Sequence, residues 1–131
     1  MKISTNDNRA YRTLTLDNGL KVLLVRDQDS AKAAASMAVN AGHFDDPLDR
    51  QGLAHFLEHM LFKATPSFNK ENNTQIAQVL NKVGADFNAT TWLDRTTYYE
   101  TVPADKMDLA LQIESERMHS AIIDDADRQS E

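Results

Sequence analysis

Two histidines and a glutamate that could bind and use a metal ion lie within five residues, His55-Phe56-Leu57-Glu58-His59. On a helix, His55 and His59 are four residues apart, so both rings project from one face and can bind one metal ion at about 2.0–2.1 Å. Glu58 lies beside that face, about 60° of helical rotation from His55. Zinc lowers the pKa of a bound water to about 7. A carboxylate at the position of Glu58 can take a proton from that water and then pass it to a leaving amine. These residue types and their spacing therefore predict metal-assisted hydrolysis.

The same spacing has a simpler interpretation, because pairs of histidines are also ordinary surface residues of helices. Three observations favour the metal site. Apolar residues occupy much of the surrounding segment, which predicts a helix that is buried on much of its surface. The order H-x-x-E-H is also a known zinc-hydrolase pattern, the inverse of H-E-x-x-H. The remaining histidines, His43 and His119, are scattered along the chain and are interpreted as ordinary loop and helix residues.

The apolar pattern predicts the elements that would hold this motif in place. Two β-type runs around Asp17-Asn18-Gly19 predict a hairpin over 13–25. Alternation predicts a strand over 33–41, and helical spacing predicts the motif helix over 53–62. The other predicted elements are a helix over 70–83, strands over 86–92 and 96–102, a helix over 104–122 and the start of another helix near Asp124. The helix over 104–122 would align Met107, Ala110, Leu111, Glu114, Met118 and Ile122 along one side.

This order of elements predicts an α+β fold, with a mainly antiparallel sheet and helices packed on one face. The length of 131 residues corresponds to about one domain. No window approaches the roughly 20 apolar residues of a membrane span, and the absence of cysteine excludes disulfides and thiolate metal sites. The net charge of −6 argues against nucleic acid or an anionic membrane as the main partner. No secretory signal is visible at the N-terminus, which favours the cytoplasm, with the periplasm as the alternative.

Several segments together resemble the insulinase/pitrilysin family, which includes the mitochondrial processing peptidases. GLAHFLEHMLF, residues 52–62, closely resembles the inverted zinc motif of that family. YRTLTLDNGLKVLLV resembles its first hairpin, and AVNAGHFDDPLDRQGLAHFLEH resembles its strand, loop and motif helix. NKVGADFNATTWLDRTTYYETVPADKMDLALQIESERM also matches, so the resemblance covers nearly all of residues 11–131.

The resemblance implies a zinc (Zn²⁺) site in which His55 and His59 are ligands and Glu58 is the general base. In the family a third ligand, a glutamate, lies in an E-x6-E pattern on a later helix. Glu131 aligns with the first glutamate of that pattern, which assists the site, and the ligand itself would fall near position 138, beyond this chain. Glu114 or Glu116 could substitute for it in principle, but both fit an ordinary helix of the family. We therefore expect residues 1–131 to be a partial N-terminal domain of a longer peptidase.

The resemblance also implies a peptide or polypeptide substrate, which would add as a strand beside the zinc along the segment that contains Asn88 and Ala89. From spacing alone that segment is an ordinary core strand. Phe62 and Trp92 could line a pocket, although each is interpreted as a core residue, and one of Tyr98 and Tyr99 should be buried.

Two function classes follow from these observations. The first is a zinc-dependent metalloendopeptidase, of which this chain alone would be inactive or weak. The alternative is a non-catalytic binding or assembly subunit, or an inactive fragment, that pairs with a second homologous domain or chain or self-associates. The intact H-x-x-E-H motif argues for the first class, because a non-catalytic relative would be free to lose it.

Overall fold

The computed structural model describes Ser4 and residues 6–131, which fall into two compact units, one ending at Ala31 and one comprising Lys32–Glu131. No helix in this described part of the chain is long and apolar enough to cross a membrane. Two short 3₁₀ turns cover His43–Asp45 and Ala104–Lys106. The strands and helices are β1 (Ala10–Thr15), β2 (Lys21–Arg26), β3 (Lys32–Val39), α1 (Leu53–Met60), α2 (Ile76–Lys82), β4 (Asp86–Thr91), β5 (Thr96–Pro103), α3 (Met107–Ser120) and α4 (Asp125–Ser130).

The first unit is the hairpin predicted from the Asp-Asn-Gly turn. β1 and β2 pair antiparallel, from Ala10 opposite Arg26 to Thr15 opposite Lys21. Gly19 takes a φ of 86°, a left-handed conformation that glycine adopts without steric cost. The Asn18 side chain accepts a hydrogen bond from the N–H of Leu20, which closes the turn.

The second unit is built on a three-stranded antiparallel sheet in the order β3-β5-β4. The central strand β5 pairs with β3 from Val102 opposite Ala33 to Thr96 opposite Val39. Its other side pairs with β4, where Ala89 lies opposite Tyr98. Among the described residues of this sheet, β4 therefore has one edge without a paired strand.

The helices cover one face of this sheet, which confirms the predicted α+β architecture. Every second residue of β5 is buried, namely Thr96, Tyr98, Glu100 and Val102. Val102 joins a hydrophobic cluster with Ala35 of β3 and with residues of α2 and α3. The other members are Phe68, Ile76, Leu80, Ala110 and Ile113. Tyr98 is buried and Tyr99 is exposed, as expected for adjacent residues of a strand with one covered face.

The prediction of a helix over 70–83 was wrong at its start, since α2 begins at Ile76. The preceding residues form turns that side chains stabilise. Asn69 accepts from the N–H of Asn72, the hydroxyl of Thr74 donates to the carbonyl of Ser67, and Asn73 has a φ of 54°. Short polar side chains that bond to nearby backbone compete with helical hydrogen bonds, and here they win.

The buried side of α3 also differs from the predicted one. Leu111 and Met118, which were expected along the inner line, are each about half exposed. The buried residues are Ala110 and Glu114, which were on the predicted side, together with Ile113 and Arg117. The apolar pattern does not predict Arg117 on this face, because arginine is rarely buried.

Candidate metal centre

Helix α1 brings the two motif histidines together. Their Nε2 atoms lie 3.2 Å apart, and the rings meet edge to face with centroids 4.7 Å apart. Two nitrogens that bind one tetrahedral zinc ion at 2.0–2.1 Å lie roughly 3.3–3.4 Å apart. One ligand atom from each of His55, Glu58 and His59 lies within 4.8 Å of the others. The two imidazoles therefore fit a shared metal ion, with a carboxylate beside it.

Glu58 differs from the histidines because it is buried, with 7% of its surface exposed. Its carboxylate accepts a hydrogen bond from the hydroxyl of Thr91, at the end of β4. A buried carboxylate with a hydrogen-bond donor has a fixed orientation, which a general base needs. The strand thus positions the side chain that the motif supplies.

Glu131 reaches the same site from the other end of the second unit. Its Oε1 lies 2.5 Å from Nδ1 of His59, and its Oε2 lies 2.5 Å from Nζ of Lys63. The Lys63 ammonium, followed by the His59 ring, holds the pKa of Glu131 below its ordinary value. A carboxylate on the far nitrogen of a metal-binding histidine fixes which nitrogen carries the proton, and so leaves Nε2 free to bind metal.

The start of α1 is fixed by a loop aspartate. The residue before the helix is Gly52, with a φ of 92°, and it has no side chain to cap the first turn. Asp46 replaces that cap, because it accepts from the N–H of Gly52 at 2.7 Å and from that of Ala54 at 2.8 Å. Nδ1 of His43 lies 3.5 Å from the same carboxylate. These bonds hold the pKa of Asp46 below its ordinary value, with the Ala54 N–H as the largest cause.

The loop that carries Asp46 is docked on the connection between β4 and β5. The N–H groups of His43 and Phe44 donate to the carbonyls of Trp92 and Leu93. A Cβ on Gly42 would lie 2.3 Å from the Trp92 carbonyl oxygen, so only glycine allows this approach. The interpretation of Trp92 as a core residue was wrong, since its side chain is 61% exposed and its backbone makes the contact.

A pocket of about 400 Å³ opens beside the candidate metal ligands. It is lined by Glu58, His59, Phe62, Lys63, Phe87, Asn88 and Glu131. Asn88 lies on the unpaired strand β4, and its side chain accepts from the N–H of Ala89. Ala89, the next residue of the same strand, is buried and does not line the pocket. Phe62, which was interpreted as a core residue, lies partly buried in the pocket wall.

The two alternative carboxylates lie away from this cluster. Glu114 binds Arg117 at 2.7 Å in the interior. Glu116 accepts from the Thr65 hydroxyl and from the N–H of Ser67, and these hydrogen bonds hold its pKa at about 2, against the opposing effect of burial. Glu116 thus supports the loop after α1.

Three residues that position the site were not found by sequence reasoning, namely Asp46, Lys63 and Thr91. Two of them had a usable signal. The glycine before α1 cannot cap a helix through its side chain, which predicts a cap from elsewhere, such as an aspartate of the preceding loop. Thr91 lies two residues after Ala89, so both side chains point to the same face of the sheet. Lys63 gave no comparable signal.

Comparison with known proteins decides the family. The family model described as Insulinase (Peptidase family M16) matches residues 21–130. The chain belongs to this family. Its members are metal-dependent peptidases, and the resemblance drawn from the motif and its flanking segments is thereby confirmed.

The insulinase-family chain is similar to much longer proteins. It is 46% identical over 105 residues to "Insulin-degrading enzyme-like 1, peroxisomal" of Arabidopsis thaliana. The aligned region is 80% of this chain and 11% of that protein. It is 44% identical over 108 residues to "Insulin-degrading enzyme" of Drosophila melanogaster, and here the aligned region is 82% of this chain and 11% of that protein. The solved structure of pitrilysin matches with a TM-score of 0.86 at 33% identity, over 94% of this chain and 13% of that chain. The chain thus spans about a tenth of these curated relatives.

Proposed function

We propose that this chain carries the zinc-binding motif of a zinc-dependent metalloendopeptidase, with His55 and His59 as metal ligands and Glu58 as general base. The observation that carries the proposal is the 3.2 Å separation of the two Nε2 atoms beside a buried carboxylate. Neutral imidazole nitrogens with a carboxylate are a donor set that suits zinc. Membership of a peptidase family agrees with this chemistry.

When bound, zinc supplies Lewis acidity that polarises a peptide carbonyl and acidifies a water. Glu58 accepts the proton of the attacking water and delivers it to the leaving amine. Thr91 holds that carboxylate toward the site. The open edge of β4, which carries Asn88 and Ala89, accepts the peptide as an added strand through main-chain hydrogen bonds.

A catalytic zinc site takes three protein ligands as a rule. Among Ser4 and residues 6–131, the cluster that the structure brings together is His55, Glu58 and His59, and Glu58 is the proposed base. We propose that a carboxylate outside residues 1–131 completes the site, and that Glu131 supports His59 from its far side. Hydrolysis would then require that additional segment or chain.

Zinc binding tests the proposed ligands directly. Stoichiometry and affinity are measured by chelator competition on the full chain, beside His55→Ala and His59→Ala. His119→Ala is the matched control, because His119 is exposed on α3, far from the motif in sequence. One zinc ion per chain, with affinity lost in both motif variants and kept in the control, supports the proposal. Equal affinity in all four proteins contradicts it.

Peptide cleavage tests the proposed reaction. A quenched fluorescent peptide is incubated with the chain alone and with the chain co-expressed with the C-terminal portion of a family relative. We expect cleavage that EDTA and Glu58→Gln abolish, and that the second portion increases. Stable association of the two portions without cleavage would instead favour the non-catalytic assembly role.

A further inference from the structure

Three ionisable residues that the proposed chemistry does not use are buried between α3 and the sheet. Glu100 of β5 is 1% exposed, and Glu114 and Arg117 of α3 are 4% and 3% exposed. One guanidinium nitrogen of Arg117 donates to Glu114 at 2.7 Å. One carboxylate oxygen of each glutamate and Nε of Arg117 are buried without a hydrogen-bond partner.

This arrangement is a poor way to stabilise a core. Charges lose their hydration when they are buried, and an ion pair often repays that loss no better than packed apolar side chains would. The unpartnered polar atoms add to the loss. The ion pair alone therefore does not account for the burial of Arg117. The other contacts of its guanidinium group explain it better.

The guanidinium carbon of Arg117 lies over two aromatic rings at once. It is 4.7 Å from the centroid of Phe62 and 4.5 Å from the centroid of Tyr98. The two rings lie 6.1 Å apart, so all three groups form one compact triangle. A planar cation attracts ring faces and fixes their orientation, which an aliphatic side chain cannot do.

Both rings belong to the surroundings of the candidate active site. Phe62 lies two residues after the end of α1 and lines the pocket beside Glu58 and His59. Its ring lies 6.4 Å from the ring of Phe87 in the same wall. Tyr98 lies opposite Ala89 of the open-edge strand β4. Arg117 thus contacts both the turn after the motif helix and the strand that pairs with the open-edge strand.

We infer that Arg117 is a positioning residue, which holds the ring of Phe62 in place and thereby sets the aromatic wall of the pocket beside the proposed metal ligands. Glu114 orients the guanidinium for this contact. The identity of the pocket's occupant, part of a peptide, rests on the proposed function. The position of the Phe62 ring does not depend on it.

The first measurement requires no metal. The full chain with labelled phenylalanine and tyrosine rings gives nuclear Overhauser contacts between Phe62 and Tyr98, and it is compared with Arg117→Met and Arg117→Lys. We expect both variants to lose or weaken these contacts, because lysine keeps the charge but lacks the planar group. Arg50→Met, which alters an exposed arginine, is the control and should leave them unchanged. Unchanged ring contacts in both Arg117 variants would overturn the inference.

The second measurement concerns the pocket. The zinc-loaded chain binds phenylalanine hydroxamate and glycine hydroxamate, which share the metal-binding group and differ in the ring. We expect the preference for the phenylalanine probe to fall about fivefold in Arg117→Lys, while zinc affinity stays within about twofold of wild type. A merely structural role would lower zinc affinity and both probe affinities together, and that result would overturn the inference. An unchanged preference would do the same.

Phe62→Leu keeps the test decisive if an Arg117 variant fails to fold. It should lower the probe preference to a similar extent, and an unchanged preference would overturn the inference. Where Arg117→Lys does fold, adding it to Phe62→Leu should lower the preference no further, since both changes remove one contact. Additive losses would show that the two residues act separately. A wild-type chain that binds neither zinc nor probe would defeat the proposed function, whereas the ring contacts would still decide the role of Arg117.

Discussion

The hydroxyl of Thr91 donates a hydrogen bond to the carboxylate of Glu58, so the last residue of the open-edge strand holds the proposed general base. The two residues are 33 positions apart in the chain. This contact joins strand β4, where we propose that a peptide binds, to helix α1, which carries the proposed metal ligands. Any displacement of the strand would thus change the position of the base.

Replacing Thr91 with valine should destabilise the fold. Valine keeps the branched shape that suits a strand, so the main loss is the hydrogen bond to a buried carboxylate, worth about 1–3 kcal/mol. Urea denaturation measures the free energy of unfolding. Thr90→Val, on the exposed face of the same strand, is the control and should change it by less than about 0.5 kcal/mol. Equal effects of the two changes would contradict the role given to Thr91.

Replacing Glu131 with glutamine should weaken zinc binding about tenfold, although Glu131 is not a proposed ligand. The glutamine side chain can turn its NH₂ group toward the His59 ring, and it lacks the negative charge that the Glu131 carboxylate presents to both Lys63 and His59. Chelator competition gives the affinity, and Glu71→Gln at an exposed position is the control. An affinity equal to that of wild type would mean that the contact at Nδ1 of His59 does not support the metal.

Local patterns in the sequence predicted the elements and the metal motif, because both depend on neighbours within a few residues. The pairing of His55 with His59 is of this kind, since helical spacing alone brings them together. The contact of Thr91 with Glu58 depends on how a strand packs on a helix, and no spacing rule encodes it. Glu131, 72 residues from His59, was indicated only by family resemblance.

Charged residues in the interior explain the largest error in the predicted packing. The inner side of α3 was drawn through Leu111 and Met118, because apolar residues are usually buried. Arg117 is buried there instead, beside Glu114, which was on the predicted side, and the two can be buried because they pair with each other. Likewise, the early start predicted for α2 failed where Asn69 and Thr74 bond to nearby backbone. In both places polar side chains override the apolar pattern.

Replacing Asp46 with alanine should lower the melting temperature by several degrees and weaken zinc binding, because α1 loses the acceptor for the N–H groups of Gly52 and Ala54. Asp49→Ala, an exposed aspartate of the same loop, is the control. The pKa of Asp46 is lowered in the folded chain, so its stabilising effect is present above the ordinary value of 3.8 and is lost as pH falls through the folded value. Thermal melts of wild type and Asp46→Asn should therefore converge in acid, and a constant difference would contradict this role.

The stability of the chain should fall as pH rises toward neutrality, because of Glu100. Burial, and then the neighbouring Glu114, raise the pKa of Glu100 from 4.5 to about 8, while Arg117 opposes the shift. Between these two values the unfolded chain releases the proton and the folded chain keeps it, so each pH unit costs up to about 1.4 kcal/mol of unfolding free energy. Glu100→Gln cannot release a proton and should lack this slope. Urea denaturation of both proteins from about pH 5 to about pH 7 measures the difference, and parallel curves would show that Glu100 is already ionised in the folded protein.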